Sequence, residues 1–329
     1  MGNVLFGASV STSVLSTPHD SGNLEGPVSY ADLAQAIRDG DIERIRDAIA
    51  HPLADITAHE AEQHSLLHVA IDAGCSEAVQ LLLAANNEYG FVNAVSPAGT
   101  ALMCAARAYD IAMLHALIEA GADVNAVYDG YTALGIAAYL GHGDAVEALA
   151  HAGADVNTVH EGIPVLSLAA QAGLESAVAV LLSYGAQVDR ASEATGHTAL
   201  MHAAARGSRG MVQRLLAQGA NVDAQNHAGD TALLICAQRR VFPAVSLLLR
   251  GGADVNLANS RGKTALMLAA EAGDIYTVKA LLAFRANVLA VDHAGRTAMM
   301  LSIDKEVTQA LTNAAEQATA LTSRGCRGL

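Results

Sequence analysis

The side chains in this 329-residue chain best able to do chemistry are its histidines, cysteines and carboxylates, and their spacing argues against an assembled reactive centre. His59-Glu60-Ala61-Glu62-Gln63-His64 has the composition of a helical zinc site, in which two His on one helix face hold the metal and an intervening Glu acts as base. That chemistry needs the two His four residues apart. Here they are five apart, which turns the rings about 140° from each other around a helix, so the segment reads as a solvated loop. The other His are spread singly. Cys75, Cys104, Cys236 and Cys326 show no CxxC pairing, and neither a disulfide framework nor a zinc site is indicated. No Gly-rich phosphate loop, nucleophile elbow or paired-carboxylate constellation stands out. Asp123, Asp155 and Asp254 recur in one setting, where each bonds nearby backbone N–H groups in a turn. Catalysis needs unlike residues converging, and this pattern gives like residues in rows. The expectation is a non-enzyme with no catalytic residue, no metal and no cofactor. At the ends, Met1-Gly2-Asn3 opens like a myristoylation signal but carries Phe6 where Ser or Thr is needed. Cys326 stands where a prenylated Cys would, yet Arg327 and Gly328 are not aliphatic.

What must position any functional residue is therefore the repeat itself. Thr-Ala-Leu recurs at Thr100, Thr132, Thr198, Thr231 and Thr264, and Thr297-Ala298-Met299 is a last, altered copy. The intervals are 32, 66, 33, 33 and 33 residues; Ile163-Pro164-Val165-Leu166 fills the gap and Ser65-Leu66-Leu67-His68 opens an earlier register. Each Thr sits where its hydroxyl can cap a short helix. Small and apolar residues follow, as in Leu134, Ala137 and Ala138, and then a glycine stops the helix at Gly74, Gly141, Gly173, Gly207 and Gly273. A second helix carries one amphipathic stripe per unit, such as Val212, Leu215, Leu216 and Val245, Leu248, Leu249. Gly121, Gly153, Gly185, Gly219 and Gly252 end it, Ala-Asp-Val-Asn follows in three units, and a turn leads to the next Thr.

Helix, turn, helix, Gly-Ala-Asp-Val-Asn and Gly-x-Thr-x-Leu at this period resemble ankyrin repeats. The resemblance covers roughly residues 30–315 as about nine units, the first and last degenerate, as expected of units that cap a stack. It implies an all-α fold: a solenoid of stacked helix-turn-helix units joined by β-hairpin-like loops, with a long concave face. Departures concern turns. The hairpins before Thr100, Thr132 and Pro164 are one residue short, the usual Pro after Thr is mostly Ala, and Arg240 stands where a helix-ending Gly belongs. Asn125, Asn157 and Asn256 resemble sites that an asparaginyl hydroxylase modifies in eukaryotic members of the family; the plainer reading is Asn bonding within the hairpin. The expected division is a disordered leader at 1–28, a repeat domain at 29–321 ending in a capping helix over 305–321, and a flexible tail at 322–329.

Composition narrows the function classes. The chain is 52% hydrophobic but only 4% aromatic, without Trp, which suits short, closely stacked helices. No apolar run approaches the roughly 20 residues of a membrane span, and the N-terminus lacks the regions of a secretory signal, so a cytoplasmic protein is expected. The Ser- and Thr-rich first 28 residues also look loosely like a bacterial effector secretion signal, which makes delivery into a host cell the alternative. A net charge of -14 argues against nucleic acid. Residues 1–164 carry 4 Lys and Arg against 21 Asp and Glu, and residues 165–329 carry 15 against 12, so the molecule is electrically polar along its length.

The resemblance implies protein recognition by hairpin tips and exposed first-helix positions, and two groups of unusual residues fall there. Tyr128, Tyr131, Tyr139 and Leu140 form an aromatic group in the fourth unit. Arg206, Arg239, Arg240, Arg261 and Lys263 form a basic strip across units six to eight. The expected partner is a protein, acidic where it meets the strip, or a second copy of this chain, held for scaffolding or occlusion.

Overall fold

A hydroxyl before a run of good helix formers should start a helix, and it does so here unit after unit. The structure is a computed structural model that describes residues 29–51, 64–86 and 88–325. Thr100, Thr132, Thr198, Thr231, Thr264 and Thr297 are extended, and each Oγ1 accepts from the N–H three residues on at 3.0–3.5 Å. They open the inner helices Ala101–Ala108, Ala133–Leu140, Ala199–Arg206, Ala232–Arg239, Ala265–Ala272 and the single turn Ala298–Leu301. Val165–Ala172 begins after Pro164, which offers no hydroxyl but a backbone already extended. Gly141, Gly173, Gly207 and Gly273 close their helices in the left-handed region. Arg240 takes the same conformation at φ 61° where Gly is missing, and so does Tyr109 at φ 58°, a second such site that sequence reading did not single out.

Outer helices follow at Ile111–Glu119, Gly143–His151, Glu175–Ser183, Arg209–Ala217, Phe242–Arg250 and Ile275–Ala283. Two earlier pairs, Tyr30–Asp39 with Ile42–Ala50 and Leu66–Asp72 with Ser76–Ala85, begin the stack, and a final helix, Lys305–Gly325, ends it, four residues beyond the expected boundary. Inner helices pack on the inner helices of adjacent units and outer on outer, giving two layers and nine helix pairs among the described residues. The core lies between the layers. Val212, Leu215, Val245 and Leu248 from the outer stripes and Ala137, Ala169, Ala203 and Ala269 from the inner helices have no exposed surface. The small inner residues let neighbouring helices approach closely, and the outer Leu and Val fill what remains. The leader, His59 to Gln63 of the His-rich segment and Cys326 lie outside the described residues.

The short hairpins now have a physical account. Before Thr132 and Pro164 the turns have two central residues, Asp129-Gly130 (φ 50° and 80°) and Glu161-Gly162 (φ 51° and 74°), both at positive φ. That is the primed turn whose twist matches a tight hairpin. Tyr128 and Tyr131 exchange backbone hydrogen bonds across the first, and His160 pairs with Ile163 across the second. The hairpin before Thr100 also turns through two residues, with Ser96 opposite Gly99. In later units an extra residue allows an Asx turn: Asn226, Asn259 and Asp292 each accept two backbone N–H bonds through Oδ1.

Asp123, Asp155 and Asp254 accept the N–H two residues on, as the turn reading expected. The asparagines differ from the reading that kept them within their own hairpins. Asn125 Oδ1 accepts the N–H of Asp155 at 2.7 Å, Asn157 that of Gln187 at 2.8 Å, and Asn256 that of Asn287 at 2.8 Å, each in the next unit. Asn93, Asp189 and Asp223 supply the other rungs. The Asp two residues earlier already accepts the N–H within the turn, and the Asn side chain reaches across the unit boundary.

Candidate functional site

The stack presents one face formed by the hairpins and the exposed side of the inner helices, and both residue groups singled out above fall on or beside it. In the aromatic group, Tyr131 from the hairpin and Tyr139 from the helix Ala133–Leu140 each lie 4.8 Å, ring centre to ring centre, from His160 of the next hairpin. The imidazole is buried between them, and burial pulls its pKa below the ordinary histidine value. Gly135 makes this possible, because a Cβ there would stand 3.2 Å from the His160 ring. Tyr139 is 53% exposed and Leu140 44%, so the group offers apolar surface outward; Tyr128, on the hairpin itself, is half-buried.

The Tyr131 hydroxyl lies 3.5 Å from Glu161, which also begins the next feature. A groove of about 610 Å³ runs from Glu161 and Gln171 to His197, His202, Arg206 and Arg239. Hairpin residues Ser192, Ala194 and Thr195 wall one side, and inner-helix residues Met201, Ala205 and Ile235 floor it. Arg206 and Arg239 occupy the same place in successive units, as their spacing of 33 residues requires. Arg206 leans back one unit, donates to the Gln171 carbonyl oxygen at 2.9 Å and covers Gly173. Its cation thereby sits at the C-terminal end of the helix Val165–Ala172, where the helix dipole favours it.

His197 and His202 stand 5.4 Å apart in this groove, although sequence reading took them as isolated surface residues. Burial, the facing His197 and the Arg239 charge hold His202 down to about 4. His197 is lowered as well, chiefly by burial, with Asp230 opposing and Arg239 assisting. Both imidazoles are therefore neutral near pH 7. A sequence signal for His202 exists in the equivalent positions Cys104, Ile136, Leu168, Ile235 and Leu268, which are all apolar.

The basic strip is divided by the structure. Arg206 and Arg239 share the first groove. Arg261 and Lys263 line a second, of about 410 Å³, with His227, Asp230, Gln238 and Glu271. Lys263 is not the exposed cation that was expected: it is 9% exposed and its ammonium pairs with Glu271, eight residues on, which the following helix brings beneath the hairpin. Arg240 closes the helix Ala232–Arg239, is exposed, and lies outside both grooves. Arg206 and Arg239 have no carboxylate within ion-pair distance among the described residues, unlike Arg46, Lys279 and Arg296, which pair with Glu77, Glu306 and Asp292.

The thiols are placed for packing. Cys104 and Cys236 are buried and burial pushes them up to about 11 and about 12, so they stay protonated and unreactive near neutral pH. Among the described residues no three His, Cys, Asp or Glu side chains gather as metal ligands, and no helix is long and apolar enough to cross a membrane.

Comparison with known proteins now bears on these observations. A search of curated proteins found no match. Among solved structures, the human ASB11 ankyrin repeat domain is similar at 30% identity and a TM-score of 0.57, over 65% of this chain and 96% of that one. The family model described as "Ankyrin repeats (3 copies)" matches residues 33–127, 67–160, 166–259 and 233–320 in overlapping stretches. Those stretches run from the first helix pair of the stack into its last helix, and the chain belongs to the ankyrin repeat family.

Proposed function

We propose that this protein is a cytoplasmic interaction module that holds a protein partner on its concave face, between hairpin tips and inner helices, and acts by scaffolding or occlusion without turnover. Ankyrin repeats are in general protein-interaction modules, which supports this reading. The observation that carries the reading is the pair Arg206 and Arg239: two exposed cations without carboxylate partners among the described residues, lining one groove of a chain with net charge -14. An unanswered cation pair in an acidic protein favours an acidic partner, and such a field raises association rates and weakens with salt. The neighbouring Tyr131, Tyr139 and Leu140 supply apolar contact area beside it, of the kind that anchors protein interfaces.

The test is affinity capture with the whole chain, identification of bound proteins by mass spectrometry, and repetition with Arg206→Glu plus Arg239→Glu and separately with Tyr139→Ala. The partner should associate more slowly with the charge-reversed protein and dissociate faster from the tyrosine variant. If the same proteins bind all three forms equally across a salt series, the concave face is not the binding surface.

A further inference from the structure

Every unit presents the same positions to the unit that follows, and three of them are identified by what they touch. The residue three past the capping hydroxyl reaches the next hairpin: His68 Nε2 lies 3.0 Å from the Gly99 carbonyl oxygen, and a Cβ on Gly135 would stand 3.2 Å from His160. Asn256 Oδ1 accepts the N–H of Asn287 in the next unit at 2.8 Å. Gln225 Nε2 donates to the Ala258 carbonyl oxygen, again one unit on, at 3.1 Å. In the last unit these three positions are held by Met300, Leu289 and Val291. Met300 is 68% exposed, where its counterparts Met201 and Met267 are each 1% exposed. Leu289 and Val291 are 52% and 57% exposed, and they stand where earlier units place Asn or Gln.

That is the reverse of what an end unit needs, since its outer flank meets water and should be polar. The first helix pair obeys the rule and exposes Asp32, Gln35, Asp39, Glu43 and Asp47. At the other end only the outer layer is covered: helix Lys305–Gly325 packs on Ile275–Ala283 and buries Val307 and Leu311. The inner layer stops at the single turn Ala298–Leu301, and Met299 on that turn is exposed as well. A group of exposed apolar side chains of this kind marks an interaction surface. We infer that this end face is a self-association surface, on which a second copy of the chain docks through its own end face about a two-fold axis.

Charge selects this occupant and this arrangement. Leu289, Val291, Met299 and Met300 are uncharged, and Asp292 and Arg296 of the same hairpin pair with each other at 2.7 Å, so identical faces meet without repulsion. Residues 1–164 carry 21 Asp and Glu against 4 Lys and Arg, so copies lying side by side would set like charge against like. Joined at these ends, the two acidic halves point away from each other, which weakens their repulsion. A head-to-tail contact would instead press the apolar face on the carboxylates of the first helix pair, and it would propagate into an open filament. The acidic partner proposed for the concave face gains nothing from four uncharged side chains. This inference stands apart from the concave-face reading, and either can fail alone.

Sedimentation velocity and small-angle X-ray scattering on the whole chain provide the test. The protein should dimerise in the micromolar range, with a longest dimension close to twice that of the monomer, and raised salt should leave the dimer intact. A two-fold contact counts each substitution twice, so Met300→Glu or Val291→Glu should weaken dimerisation about a hundredfold. Tyr184→Glu, which removes an exposed ring far from this end, should leave it unchanged. Thermal melts of the three variants establish that they are folded. A chain that stays monomeric at hundreds of micromolar, a dimer no longer than the monomer, a dimer that dissolves as salt rises, or folded Met300→Glu and Val291→Glu variants that still dimerise would each overturn the inference.

Discussion

The Oδ1 atom of Asn157 accepts the backbone N–H of Gln187 at 2.8 Å, joining two units that share no covalent turn at that point. Its Nδ2 also donates to the Gly185 carbonyl oxygen at 3.4 Å, so one side chain ties both the end of an outer helix and the start of the next loop. Asn157→Ala should cost about 1 kcal/mol in urea unfolding, and hydrogen exchange at the Gln187 amide should speed up while that at Asp155 keeps its rate. Unchanged exchange at Gln187 would show that water replaces the rung without loss.

The outer stripe is the larger contributor to stability. Leu215 and Leu248 are fully buried between the layers, and truncating either to Ala removes most of a side chain that cannot be refilled without moving two units. Leu215→Ala and Leu248→Ala should each cost about 2–5 kcal/mol, read by chemical denaturation. Losses under about 1 kcal/mol at both sites would mean that the outer helices contribute little to the stack.

Arg240 occupies a left-handed backbone at φ 61° that six other units give to Gly. A Cβ in that region costs roughly 1 kcal/mol, and the side chain lies outside both grooves, so nothing in the site offsets the strain. Arg240→Gly should raise stability by about 0.5–1 kcal/mol and leave capture of the protein partner unchanged. Tyr109→Gly relieves a similar strain but also breaks ring packing on His142, centred 4.4 Å away, so its gain should be smaller.

His202 sets a stability change with pH. Its pKa in the fold is about 4 against an ordinary 6.5, because burial, His197 and Arg239 all disfavour the cation. Above pH 6.5 both folded and unfolded forms are neutral there and the group has no effect. As pH falls from 6.5 to about 4 the unfolded chain takes up a proton that the fold refuses, so stability declines over that window and levels off below it. His160 and His197, both lowered, act in the same direction. Asp292, held below the usual carboxylate range by its hydrogen bonds from Arg296, loses its contribution at lower pH still. His202→Gln should shrink the fall in Tm between pH 7 and pH 4.5; an equal fall in both proteins would show that His202 protonates freely in the fold.

The fold was legible because each unit repeats its own signals. A capping Thr, a closing Gly and an Asp turn every 33 residues leave little freedom, and the structure sets each where local chemistry requires. Tyr131, Tyr139, Arg206 and Arg239 were legible as departures from the repeat, since residues that the fold does not need stand out against those that it does. What stayed hidden depends on distances between units. Glu271 neutralises Lys263 only because a helix folds beneath its own hairpin, and Asn157 reaches Gln187 only because neighbouring units are in register. His160 finds its place between two tyrosines through the missing side chain of Gly135, a vacancy that no local pattern announces.

The line of Asn and Asp rungs stops where Leu289 stands in the position held by Asn256 one unit earlier. Up to that point every rung ties a unit to its immediate neighbour and to nothing farther away, as do the packed helices. In such a molecule tension between the two ends passes through a series of short, similar links, so rising force should detach single units in steps. A partner lying along several units would feel that loss as a change in the spacing of its own contacts.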